Sequence, residues 1–147
     1  MAVTAVFFPL GLKDAMCGGT VQLNGQSMGA VLLTGFTVNQ DAHRYLQECM
    51  SKEITGTGYT SLGATVTGST VSYDAATNEI RWDFDDPTWT SASFSASSMV
   101  VYNRKSGGTT TSWEMLMYVE FGGTQTVSSG TFTYVVPTTT AGAITVA

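Results

Sequence analysis

The stretch Glu79-Ile80-Arg81-Trp82-Asp83-Phe84 alternates without a break. Ile80, Trp82 and Phe84 fall on one side of an extended chain, Glu79, Arg81 and Asp83 on the other. A period of two with an apolar and a charged face is the pattern of a half-buried antiparallel strand. The run Val66 to Tyr73 precedes it, and Asp74-Ala75-Ala76-Thr77-Asn78 between them has hairpin turn chemistry, so the two runs are expected to pair. Downstream, Met99-Val100-Val101-Tyr102 and Trp113 to Phe121 form a second such pair across the polar loop Arg104-Lys105-Ser106-Gly107-Gly108. Their continuous apolar character predicts a central place in a sheet. Thr131 to Val136 and Ala143 to Val146 are two further strands, separated by Pro137 and a Thr-Thr-Thr-Ala-Gly linker. Gly107-Gly108 and Gly122-Gly123 read as hairpin glycines.

Upstream, Gly29-Ala30-Val31-Leu32-Leu33-Thr34 reads as a core strand. Ala42, Tyr45, Leu46, Cys49 and Met50 then recur at three and four positions after Asn39-Gln40-Asp41, which predicts one amphipathic helix at about 40–53. Residues 1–12 carry the breakers Pro9 and Gly11 and read as an extended arm with no evident partner inside the chain. The expected fold is mainly β: an antiparallel β-sandwich at 29–147 with that single helix, preceded by an N-terminal extension at 1–28.

Composition narrows the function. The 147 residues include 24 Thr, 14 Ser and 16 Gly, only 12% are charged, and the net charge is −5. Strands and turns are favoured over helices, and the basic footprint that nucleic acid requires is missing. No stretch reads as a signal peptide or membrane span, and Cys17 and Cys49 are expected to be free thiols. His43, the single histidine, sits in the expected helix beside Arg44 and reads as an exposed helix residue. Asp83, Asp85 and Asp86, with Asp74 nearby, are the densest oxygen donors. Without the spacing of a calcium loop they read as a solvated edge. Glu114 and Glu120, six strand positions and so about 20 Å apart, do not make a hydrolytic carboxylate pair. No catalytic residue, cofactor or metal is expected, and the chain reads as a non-enzyme.

Two groups remain as candidate contacts. Val6, Phe7, Phe8, Leu10 and Leu12 form an apolar arm that an assembly would cover, on a partner protein or between protomers. Trp89 and Trp113, with Arg104 and Lys105, could present an exposed aromatic and cationic surface.

With these residues in view, the chain resembles a family of small virion structural proteins of tailed bacteriophages, from about Gly29 to the C-terminus. The carrying features are Val31-Leu32-Leu33-Thr34, Asn39-Gln40-Asp41-Ala42-His43, Glu53-Ile54-Thr55-Gly56-Thr57-Gly58-Tyr59-Thr60 and Gly63-Ala64-Thr65-Val66. They continue through Val71-Ser72-Tyr73-Asp74, Phe84-Asp85-Asp86-Pro87-Thr88-Trp89, Val100-Val101-Tyr102, Tyr118-Val119-Glu120-Phe121-Gly122-Gly123 and Gly130-Thr131-Phe132-Thr133. Two departures stand out: Ser95-Ala96-Ser97-Ser98-Met99 before the Val-Val-Tyr strand, and the first 28 residues, which are particular to this chain. The resemblance implies a capsid decoration, or cement, protein that binds the major capsid protein on the outside of the virion. It would be made in the host bacterial cytoplasm and act as a homo-oligomer, a trimer by analogy with proteins on icosahedral shells. The alternative is a receptor- or glycan-binding β-sandwich displayed on head or tail.

Overall fold

A computed structural model describes residues 3–17, 21–24, 27–137 and 144–146. The chain is mainly β and its sheets are antiparallel. Its elements are β1 (Thr4–Phe7), α1 (Pro9–Met16), β2 (Met28–Leu33), β3 (Ala64–Val66), β4 (Thr70–Asp74), β5 (Glu79–Asp83), β6 (Thr88–Asn103), β7 (Met115–Thr133) and β8 (Ile144–Val146). A five-stranded sheet has the order β1-β7-β6-β2-β3, and a three-stranded sheet the order β4-β5-β8.

The large sheet is buried on both faces where β2, β6 and β7 cross, as their unbroken apolar runs predict. On one face Met28, Ala30, Leu32, Met99, Val101, Met117 and Val119 pack with Trp82 of the small sheet and Phe84 just beyond it, giving the sandwich core. On the other, Val31, Leu33, Val100, Tyr102 and Tyr118 pack with Phe8, Leu46 and Cys49, so the N-terminal segment and the loop after β2 cover that side. Gly29 makes room for this second layer. A β-carbon there would overlap the Tyr102 ring, which stacks on Trp113 with centroids 5.6 Å apart and donates its hydroxyl to the Leu62 carbonyl at 2.9 Å.

The hairpin of β4 and β5 forms in the expected place, with Tyr73 opposite Ile80 and Val71 opposite Trp82. The apolar run before it is divided: Ala64–Val66 pairs with β2 in the large sheet, and the chain changes sheet through Thr67-Gly68-Ser69. β6 and β7 are longer than expected. The final aromatic run, read as a separate strand, is continuous with β7 to Thr133, and Gly122-Gly123 lie inside that strand instead of at a turn. Between the pairs Ala96 with Gln125 and Ser98 with Glu120, the residues 121–124 stand opposite Ser97. Both glycines have positive φ, 74° and 151°, which this wide bulge requires.

The amphipathic helix expected at 40–53 is not formed. Leu46–Glu48 and Met50–Lys52 are two 3₁₀ turns. The reason is competition for backbone hydrogen bonds: Leu46 and Gln47 donate to the carbonyls of Trp113 and Thr110 at 2.9 Å, and Met115 donates to the Arg44 carbonyl at 2.8 Å. This segment is tied to the start of β7, and a spacing of three still puts Leu46 and Cys49 in the core.

The helix lies instead in the segment read as an arm. Pro9 occupies its first turn, where its fixed φ and missing N–H suit helix entry. Gly11 is buried where a β-carbon would run into the Met115 carbonyl, so α1 can lie directly on β7. The Arg44 guanidinium reaches Asp14 at 2.6 Å and pins α1 to the loop after β2. β1 pairs with β7, Val6 opposite Tyr118 and Thr4 opposite Glu120. The arm thus has an intramolecular partner. The linker at 138–142 lies outside the described residues.

Candidate interaction surfaces

The cationic side chains are mostly occupied within the chain. Arg81 bridges Asp74 and Glu79, each at 2.8 Å, across the polar face of the small sheet. The Ala76 N–H and Arg81 hold the Asp74 carboxyl below the usual range, and Arg81 with Thr77 does the same for Glu79. Lys105 reaches the buried Glu114 at 3.0 Å, where Asn103 also donates at 3.2 Å. Arg104 lies over the Trp113 ring at 5.9 Å. Arg104 and Lys105, expected as a free contact surface, thus close the loop between β6 and β7 onto its own strands. Trp89 and Trp113 are buried: Trp89 packs among Tyr59, Phe94 and Phe132, and the Trp113 indole donates to the Lys105 carbonyl at 3.0 Å. The exposed aromatic platform is therefore corrected to core, because Trp89 faces inwards from β6 and Trp113, just before β7, stacks on the buried Tyr102 ring.

The acidic group is occupied by hydrogen bonds from within the chain. Asp85 accepts from the Thr67 hydroxyl at 2.7 Å, Asp86 from the Val136 N–H at 2.8 Å, and Asp83 from the Phe84 N–H at 2.9 Å. Among the described residues no three His, Cys, Asp or Glu side chains converge as metal ligands. His43 is half-buried, accepting from the Asn39 N–H at 3.1 Å and stacked on Phe36. Glu120 accepts from the Tyr118 hydroxyl. Cys17 is exposed, and burial pushes the Cys49 thiol up to about 12. No described helix is long and apolar enough to cross a membrane.

Among the described residues, two surfaces stand out as open to a partner. The first is the N-terminal edge, where β1 ends the large sheet. Val3 is exposed there, and Thr4 and Val6 flank a shallow groove of about 360 Å³ completed by Phe36, Val38, Tyr118 and Glu120. Of the arm residues expected to form an interface, Val6, Phe7, Leu10 and Leu12 are half-buried. Phe8 is 0% exposed, in the core beneath α1, and is withdrawn from the interface. Phe7 turns to the opposite face and stacks on Trp82 at 6.2 Å.

The second surface is the outer part of the small sheet. Val71, Tyr73 and Ile80 share the face that carries Trp82, but lie beyond the core and are 41%, 62% and 52% exposed. Sequence alternation places Ile80 on the Trp82 face without showing that the hairpin overhangs the core. Comparison of the chain with family models, with curated proteins and with solved structures gives no match.

Proposed function

We propose that this chain is a non-enzymatic virion structural protein of a tailed bacteriophage, a decoration protein that binds the major capsid protein lattice on the capsid exterior and acts as a homo-oligomer. The observation that carries this reading is the β1 edge, where Thr4 and Val6 border a largely apolar groove on a chain that has tied up most of its cations. Such a surface suits another protein better than a phosphate backbone or a small polar substrate. The sequence resemblance points the same way.

The mechanism is linkage. A protein that binds only where capsomers meet in the mature lattice stabilises that lattice by its own binding free energy, multiplied over many copies. The β1 edge supplies backbone hydrogen-bonding groups, and the groove takes apolar side chains from the capsid. The rival reading as a glycan-binding sandwich relied on exposed Trp89 and Trp113, and their burial removes its stacking platform.

The test is co-sedimentation with expanded empty capsids of the parent phage. Saturable binding is expected, weakened at least about tenfold by Thr4→Asp with Thr37→Asp, both exposed and both lining the groove. No saturable binding by a folded chain that is nevertheless present in virions would overturn the reading and move the protein to tail or neck. Unchanged binding by the double variant would move the contact away from this groove.

A further inference from the structure

We infer that the outer edge of β4 is a self-association seam, and that its occupant is β4 of a second copy of this chain, paired antiparallel about a twofold axis through Ser72. The inference stands apart from the capsid reading, which uses β1 at the other sheet.

β4 is an outer strand of the three-stranded sheet, and among the described residues no strand pairs with its outer side. Its five residues, Thr70-Val71-Ser72-Tyr73-Asp74, include no Lys, no Pro and no bulge to blunt the edge, and its one charge, Asp74, is bound to Arg81. Thr, Val and Tyr are instead residues that favour strand pairing.

The sequence of the edge identifies the occupant. In an antiparallel pair, residues directly opposite share a face, so a twofold axis perpendicular to the sheet must pass through a residue position. Centring it on Ser72 pairs all five residues, whereas centring on Val71 or Tyr73 pairs only three. In the Ser72 register Val71 meets Tyr73 of the second copy on the apolar face. Ser72 meets Ser72, and Thr70 meets Asp74, on the polar face. Every pair is then apolar with apolar or hydroxyl with hydroxyl or carboxylate, and no like charges face each other. Arg81 holds Asp74 and Glu79 on its own copy, so the seam carries no free cation to repel its mate.

Pairing joins two three-stranded sheets into one and merges two apolar faces, each with Val71, Tyr73 and Ile80, into a single stripe. The seam is small beside the roughly 1,200–2,000 Å² of a standard interface, so association is expected to be weak and concentration-dependent.

The test uses thiol pairing in the full chain. With Cys17→Ser removing the exposed thiol, Ser72→Cys is expected to give a disulfide-linked dimer under mild oxidation at least about tenfold faster than Gln125→Cys, because pre-paired thiols react at a high effective concentration. Thr70→Cys alone and Asp74→Cys alone are expected to react no faster than Gln125→Cys, while a mixture of the two gives the heterodimer. Adding Tyr73→Lys to Ser72→Cys is expected to remove the advantage with the melting temperature within about 2 °C, since Tyr73 is exposed. Cross-linking of Ser72→Cys no faster than of Gln125→Cys would overturn the seam. So would equally fast self-linking of the Thr70 and Asp74 variants.

Discussion

Replacing Phe8 by Ala tests whether the N-terminal segment is part of the folded core. The ring is fully buried, its N–H donates to the Leu116 carbonyl at 3.0 Å, and its carbonyl accepts from Leu12 at 3.0 Å. It therefore fixes both the end of β1 and the first turn of α1. Phe→Ala at such a site costs about 3–5 kcal/mol, the lost transfer free energy plus the cavity left under a helix that is held in place by Asp14 and Arg44. For a chain of this length the unfolding entropy is about 0.3 kcal/mol/K, so the melting temperature should fall by about 10–16 °C. That is a large part of the roughly 5–15 kcal/mol that holds a domain folded. The assay is thermal unfolding by circular dichroism beside Leu10→Ala, whose half-buried side chain should cost about 1 kcal/mol. A melting temperature for Phe8→Ala within about 2 °C of the parent would refute the reasoning and return residues 3–12 to an independent arm.

Three further outcomes are expected. Gly29→Ala should destabilise by about 1–3 kcal/mol in urea titration, because the buried Tyr102 ring, stacked on Trp113 and bonded to Leu62, has nowhere to move. Lys105→Met should cost about 2 kcal/mol, less than a fully buried pair because Lys105 keeps solvent contact, and Glu114→Gln in the same chain should recover part of the loss. Burial raises Cys49, Tyr102 and Tyr118 to about 12 and raises Tyr59 as well, so the folded chain keeps protons that the unfolded chain gives up. Stability should accordingly be intact below about pH 9 and fall as the pH rises towards 12, and the urea midpoint should be lower at about pH 11 than at pH 8.

The parts of the fold legible in the sequence are those whose partners lie close along the chain. Glu79 to Phe84 shows its two faces by alternation, and Asp74 to Asn78 shows its turn, so the hairpin of β4 and β5 could be read directly. The double burial of β2, β6 and β7 was legible as unbroken apolar runs. The helix at 40–53 was misplaced because a spacing of three and four also fits consecutive 3₁₀ turns, and the hydrogen bonds that decide between them come from Thr110 and Trp113, more than sixty positions away. Pro9 and Gly11 were read as breakers, although each allows α1 for its own reason: one presets the first turn, the other permits contact with β7. Trp89 gave no sign of facing inwards, because its place in β6 depends on aromatic neighbours from Tyr59 to Phe132.

The pairing of β1 with β7 also orders events during synthesis. Phe8 cannot find the Leu116 carbonyl, nor Val6 its place opposite Tyr118, until the ribosome has made more than a hundred further residues. At about 5–20 residues per second, the apolar segment from Val3 to Leu12 waits several seconds or more without its shelter. A nascent chain in that interval exposes an apolar segment that only β7 can pair, so chaperone capture and degradation should fall most heavily on truncated products that stop short of β7.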